Sequence, residues 1–420
     1  MIVYNRFTLK NGLRVVHQFD PTESNVVLNT LYNVGARDED SNRTGFAHLF
    51  EHLMFGGSEN VPSFDEAIEN AGGQNNAFTT NEITNYYINV PLENIETAFW
   101  LESDRMLALN INEKSLSVQQ GVVIEEFKQR CYNAPFGQLW HHIRNLLYTN
   151  SPYRWPTIGQ EILHVETANL QDVQSFYNKH YIPQNAIVSI VGNLSLDETK
   201  TLCEKWFENI EKPGETNKNT YVKDIPQTER KFLETTDLSP NPAVFLVWRG
   251  PSYKEMGSLE LDIFSDMLGG SEVSDLQQVL VKEKQICNAA ECFYIRGIDE
   301  GIFILYGILN EGQTHETVEL ELFNTMKTFI SKGNNNEKTF EGIKNKAYTN
   351  ILFEQINPMN RAQKLAYFEN LGNVEGINKE AELVKNLNLT DVLQQAATTF
   401  EQNNMSVIYY SPMSCHEPSI

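Results

Sequence analysis

The chain has 420 residues, 41% hydrophobic and 11% aromatic, which is enough apolar material for two or more domains with cores of their own. A formal charge of −22, with 33 Lys and Arg against 55 Asp and Glu, excludes a nucleic-acid binder, because phosphate backbones are held by a basic face. No run approaches the roughly 20 consecutive apolar residues of a membrane helix, and the start MIVYNRFTLKNG has neither a basic lead nor an apolar signal core, so a soluble, cytoplasmic protein without a membrane partner is expected.

Strand-like runs at 12–19 and 25–34 open the chain, followed by a helical pattern over 44–55 that stops at paired glycines, Gly56 and Gly57. A further strand is expected at 86–90, helices at 112–130 and 170–179, and a strand at 187–191. The stretch 211–220, EKPGETNKNT, suits neither element and marks a boundary. It divides the chain into an N-terminal metal-binding domain (1–211), a linker (212–226) and a C-terminal domain (227–420). Strands at 243–248 and 301–309 repeat the theme, and 332–339, KGNNNEKT, reads as a surface loop. Five cysteines (Cys131, Cys203, Cys287, Cys292, Cys415) are too few and too scattered for a disulfide framework. Cys287 and Cys292 lack C-x-x-C spacing and read as ordinary buried thiols.

The halves echo each other. Met54-Phe55-Gly56-Gly57-Ser58-Glu59 matches Met267-Leu268-Gly269-Gly270-Ser271-Glu272 at an offset of 213, and Asn169-Leu170-x-Asp172-Val173 matches Asn388-Leu389-x-Asp391-Val392 at an offset of 219. Each second echo is followed by an aromatic (Tyr181, Phe400) and an Asn (Asn185, Asn404). A duplicated unit of roughly 200 residues is expected. The fold class is α+β, each half a sheet covered by helices.

His48-Leu49-Phe50-Glu51-His52 lies within the first helical pattern. On a helix, residues 48 and 52 share a face one turn apart, so two imidazoles can reach one cation with Glu51 beside them. In the second half the equivalent positions are Leu261, Phe264 and Ser265, so that helix folds without any of the three. A catalytic zinc needs a third protein ligand, and Glu125 or Glu126, at the end of an apolar Val-Val-Ile run, can supply it; about 100° apart on a helix, only one of them can reach the ion.

H-x-x-E-H resembles the inverted zinc motif of the insulinase and pitrilysin type of metallopeptidases, the inverzincins. Gly35-Ala36-Arg37, Gly72-Gly73-x-x-Asn76-Ala77-x-Thr79, Thr84-x-Tyr86, Val122-Val123-x-Glu125-Glu126, and Pro152-Tyr153 with Gly159 carry the same likeness over nearly the whole chain. Within that family the chain resembles the zinc-bearing subunits of bacterial two-chain members and the beta subunit of mitochondrial processing peptidase. The resemblance implies two homologous domains, each a mostly antiparallel sheet with helices on one face, forming half of a clamshell. It implies one Zn2+ per chain held by His48, His52 and Glu126, the last 74 residues beyond His52, with Glu51 as the general base. It places a supporting residue at Gln119, where the family carries a Glu, and substrate-binding residues at Asn76 and Ala77 on an edge strand to which a peptide adds. Asn76 taken alone reads as a turn residue after Gly72-Gly73.

Members that act alone also carry an Arg and a Tyr in the C-terminal half. Here Val281 and Asn288 stand at those places, and Tyr294 and Arg296 have the wrong spacing and order. The expectation is therefore a zinc metalloendopeptidase working as the catalytic subunit of a heterodimer, its partner a homologous chain that supplies the Arg and Tyr, or otherwise a homodimer. The alternatives are a non-catalytic assembly or core subunit of the same fold and a metal-dependent hydrolase with another substrate.

Overall fold

The computed structural model describes residues 1–211 and 222–413. Of the expected linker only 222–226 is described, without regular structure; 212–221 and Cys415 lie outside the described residues. Besides single turns, the first half runs β1 (Asn5–Thr8), β2 (Arg14–Phe19), β3 (Asn25–Tyr32), α1 (Phe46–Leu53), α2 (Phe64–Asn70), β4 (Gln74–Thr79), β5 (Thr84–Pro91), α3 (Ile95–Leu107), α4 (Glu113–Phe127), α5 (Leu139–Leu147), α6 (Ile162–Glu166), α7 (Leu170–His180), β6 (Ala186–Gly192) and α8 (Leu196–Trp206). The second runs β7 (Lys231–Asp237), β8 (Ala243–Gly250), α9 (Met256–Gly269), β9 (Cys287–Ile295), β10 (Gly301–Leu309), α10 (His315–Ser331), α11 (Glu337–Glu354), α12 (Pro358–Asn370), α13 (Gly376–Lys385), α14 (Leu389–Thr399) and β11 (Ser406–Pro412). Among the described residues no helix is long and apolar enough to cross a membrane.

The two sheets have one plan. The first is ordered β1-β2-β6-β3-β5-β4 and the second β7-β11-β8-β10-β9, so β2, β6, β3, β5 and β4 correspond to β7, β11, β8, β10 and β9. In each, the first of these five strands is parallel to the second and every later pairing is antiparallel. The sequence echoes do the same work twice. Asn169 and Asn388 are N-caps whose side chains accept from Asp172 N and Asp391 N. After the helices, Asn185 Nδ2 donates to His180 O at 2.9 Å and Asn404 Nδ2 to Thr399 O at 3.1 Å, while Tyr181 and Phe400 are fully buried. The motif survives because it starts and stops a helix.

The compact units are not continuous in sequence. One comprises Met1–Phe127, the described part of Trp155–Thr220, and Ile351–Glu380; the other comprises Lys128–Arg154, the described part of Tyr221–Asn350, and Ala381–Ile420 up to residue 413. In the first, Val26, Leu28, Val188 and Ile190 face the main core, and the alternate side chains face α12, where Ser189 Oγ donates to Ala362 O at 2.6 Å. In the second, Ile143 and Leu147 of α5 pack on Ala243, Phe245, Ile408 and Tyr410. Each sheet thus receives on its second face a helix encoded in the other half of the chain, in addition to the one covered face that was expected.

Arg361 holds α12 in place. Its buried guanidinium donates to Asp20 Oδ2 at 2.7 Å, Gln18 Oε1 at 3.1 Å, and the carbonyls of Gln355 and Ile356 at 3.0 and 2.9 Å. Arg361→Ala removes a shared donor from a desolvated site and should cost about 3 kcal/mol in denaturant unfolding, with little recovery in Arg361→Lys, which cannot reproduce the fork.

Residues 332–339 are not a loop throughout. A single turn, Gly333–Asn336, runs directly into α11 at Glu337, because Glu337 and Lys338 lie at a helix start where polar residues are tolerated. Cys131, Cys203, Cys287 and Cys292 are buried thiols outside any disulfide, and burial pushes the Cys287 thiol up to about 12.

Candidate metal centre

Helix α1 is fixed at its start by a buried carboxylate. Glu39 Oε2 accepts from Gly45 N at 2.9 Å and Oε1 from Ala47 N at 2.8 Å, satisfying two N–H groups that a helix start leaves open. Gly45 has φ +88, and a Cβ there would meet Ile158 O at 3.0 Å. Further along, Phe50 stacks on Phe176 and Tyr181 at ring distances of 5.2 and 5.0 Å, and Phe46, Leu49 and Leu53 are buried beside it. With that apolar face locked in the core, His48, Glu51 and His52 lie off it, and α1 packs against α4 and β4.

Burial pushes the Glu39 carboxyl up to about 8 from 4.5, against the lowering effect of its backbone donors. An acid whose folded pKa is raised contributes its full stability below 4.5 and loses it as pH climbs through 8, because the unfolded chain surrenders the proton first. The midpoint of thermal unfolding should therefore fall across that window, and Glu39→Gln should flatten the slope.

The three expected ligands form a small triangle. His48 Nε2 and His52 Nε2 are 3.4 Å apart, and Glu126 Oε2 lies 3.6 Å from the first and 3.3 Å from the second. Two imidazoles and a carboxylate binding at zinc distances of about 2.0–2.1 Å in a tetrahedron would be separated by about 3.4 Å, so the spacing and the donor set both fit zinc. Among the described residues this is the one group of three or more His, Cys, Asp or Glu that could hold a metal ion. Glu125 is exposed, so of the two adjacent carboxylates it is Glu126 that meets the histidines. Gln119 is half-buried on α4, two turns before Glu126; its neighbour Gln120 holds the helix by donating to Val165 O at 2.8 Å and Ala168 O at 2.9 Å.

Glu51 is half-buried beside the triangle, and its Oε2 accepts from Thr79 Oγ1 at 2.6 Å. Thr79 is the last residue of β4, one of the two edge strands of the six-stranded sheet. Asn76 and Ala77 lie on that strand, not in a turn, and Asn76 Oδ1 accepts from Ala77 N at 2.8 Å. This N–H is therefore not spent on β5 and is directed to the open side of the strand. Glu39 is not singled out by spacing, since a lone carboxylate before a helix is a common feature, and Thr79, though it closes the Gly72-Gly73-x-x-Asn76-Ala77-x-Thr79 run, carries no sign in the sequence that its hydroxyl meets Glu51.

In the second half, Leu261 and Phe264 are fully buried and Ser265 nearly so, filling the core where the first half carries His48, Glu51 and His52. Val281 and Asn288 are half-buried and exposed. Tyr294 Oη donates to Pro251 O at 2.6 Å, and Arg296 donates to Ser258 Oγ at 3.1 Å and lies 4.1 Å from the Tyr253 ring centre. Both side chains are committed to their own unit's packing.

Known proteins share this plan. Residues 14–153 match the family model described as insulinase, peptidase family M16, and residues 167–347 match the one described as the peptidase M16 inactive domain. A zinc protease, PqqE, of Helicobacter pylori is 27% identical over 414 residues, covering 96% of this chain and 92% of its own length. The crystal structure of a protease from Helicobacter pylori, 27% identical, superposes with a TM-score of 0.92 over 98% of this chain and 100% of that one. A peptidase M16 inactive domain from Pseudomonas fluorescens has the same fold at 13% identity, with a TM-score of 0.86 over 99% and 100% of the two chains. Two matched models that together span both halves, and relatives of nearly equal length with the same two-sheet plan, make this chain a member of the insulinase family of peptidases, family M16.

Proposed function

We propose that the chain is a zinc metalloendopeptidase that hydrolyses peptides and unfolded polypeptides, and that it serves as the catalytic subunit of a heterodimer. The observation that carries this reading is the triangle of His48 Nε2, His52 Nε2 and Glu126 Oε2, with edges of 3.3–3.6 Å and Glu51 beside it. His48, His52 and Glu126 would hold the zinc, which when bound would supply a Lewis acid for the scissile carbonyl and make water a better nucleophile, its pKa falling towards about 7. Glu51 then takes the proton of the attacking water and returns it to the leaving amine. A peptide lying along the free edge of β4 would take the Ala77 N–H in place of Asn76 Oδ1, which accepts from it here, so recognition rests on the main chain and tolerates many side chains. Gln119 is proposed to support the ligand set from two turns away on α4, with less effect on histidine basicity than a carboxylate would have.

The heterodimer rests on what the second half lacks. Val281 has no polar group and Asn288 carries a neutral amide where the lone-acting members carry an Arg and a Tyr, and Tyr294 and Arg296 are engaged elsewhere. A partner of the same fold would supply the Arg and Tyr, which are worth a few kcal/mol of transition-state stabilisation.

The test is metal content together with peptide cleavage by the chain alone and after mixing with a homologous partner. One zinc per chain, weak cleavage alone and strong cleavage in the mixture are expected, all abolished by a chelator and restored by zinc. Absence of stoichiometric metal would sink the peptidase reading; full activity of the isolated chain would sink the heterodimer.

A further inference from the structure

We infer that Thr79 is a positioning residue for the general base and makes alignment of Glu51 a property of the strand that receives the peptide. The inference rests on the peptidase reading above and deepens it. Glu51 sits near the end of α1, one residue before His52, and a glutamate there has several rotatable bonds with which to leave the site. A 2.6 Å hydrogen bond from Thr79 Oγ1 to Oε2 removes that freedom. A hydroxyl given to a carboxylate is a charge-assisted bond, and it occupies one oxygen while leaving Oε1 to take a proton from water.

Thr79 is itself well anchored. It pairs with Thr84 across β4 and β5, and its alternate neighbour on the same face of the strand, Ala77, is half-buried as Thr79 is. β4 packs against α1, so the base and the strand meet directly. The only segment between the proposed peptide-binding pair and the donor is Phe78, so a peptide pairing along β4 stiffens the residue that orients Glu51. The base is then correctly placed when substrate is present, a benefit that appears in turnover more than in binding.

Thr79→Val keeps the β-branched shape and deletes the hydroxyl. It is expected to lower kcat about 10–100-fold while KM changes less than about 2-fold, with zinc still at one per chain and thermal unfolding unchanged. Thr79→Ser should restore most of kcat. In a Glu51→Gln background, Thr79→Val should cost nothing further, since the group it orients no longer acts as a base. The inference is overturned if Thr79→Val keeps wild-type kcat, if the loss lies in KM alone, if zinc is lost with the hydroxyl, or if the same fold-loss appears in the Glu51→Gln background. A wild-type protein that binds one zinc and, with its partner, cleaves no peptide overturns the peptidase reading and this inference with it; the other outcomes overturn this inference only.

Discussion

Glu51→Gln is expected to bind zinc as the wild type does and to lose peptide cleavage by roughly 10²–10⁴-fold, the usual contribution of a positioned general base. The side chain stands beside the ligand triangle but is not part of it, so the three donors and their 3.3–3.6 Å spacing remain. An amide keeps the shape and can still accept from Thr79 Oγ1, now 2.6 Å from Oε2, yet it cannot take a proton from water. Metal analysis and a steady-state assay on one preparation decide it. Loss of zinc would mean that Glu51 is a ligand. Retained cleavage would remove it from the mechanism.

His52→Ala should produce the opposite pattern. Two donors remain where a tetrahedral protein site needs three, and zinc affinity should fall by at least about 10²-fold. The fold should persist, because the equivalent helix α9 carries Leu261, Phe264 and Ser265 in a packed core and depends on no metal. Zinc binding only the folded state raises the unfolding temperature of the wild type by mass action, and that rise should vanish in the variant. A variant that unfolds before any zinc is added would show that His52 is needed for packing; one that keeps the zinc-dependent rise would show that the ion sits elsewhere.

Much of the fold is legible in local pattern. Strands β6, β8 and β10 are near-continuous apolar runs, and the Asn caps of α7 and α14 announce themselves twice. The strands that local pattern misses include β1, β4, β7 and β9, the edges of the two sheets. QNNAFT and CNAAECFYI alternate exposed and covered residues without a strongly apolar face, because an edge strand has a partner on one side only. The exchange of α5 and α12 leaves no trace either. An amphipathic helix declares that it has an apolar face and does not say which sheet will cover it.

The metal centre divides along the same line. His48 and His52 are one turn apart on one helix, so their meeting follows from helix geometry and could be read in the letters. The rest involves partners far apart in the chain: Glu126 in preference to Glu125, the hydroxyl of Thr79 on Glu51, and the Glu39 carboxylate under the start of α1. Contacts within a turn are set by a fixed rise and rotation per residue. Contacts between α1, α4 and β4 depend on how the apolar core orients each element, and that orientation exists only once the core around Phe50 has formed.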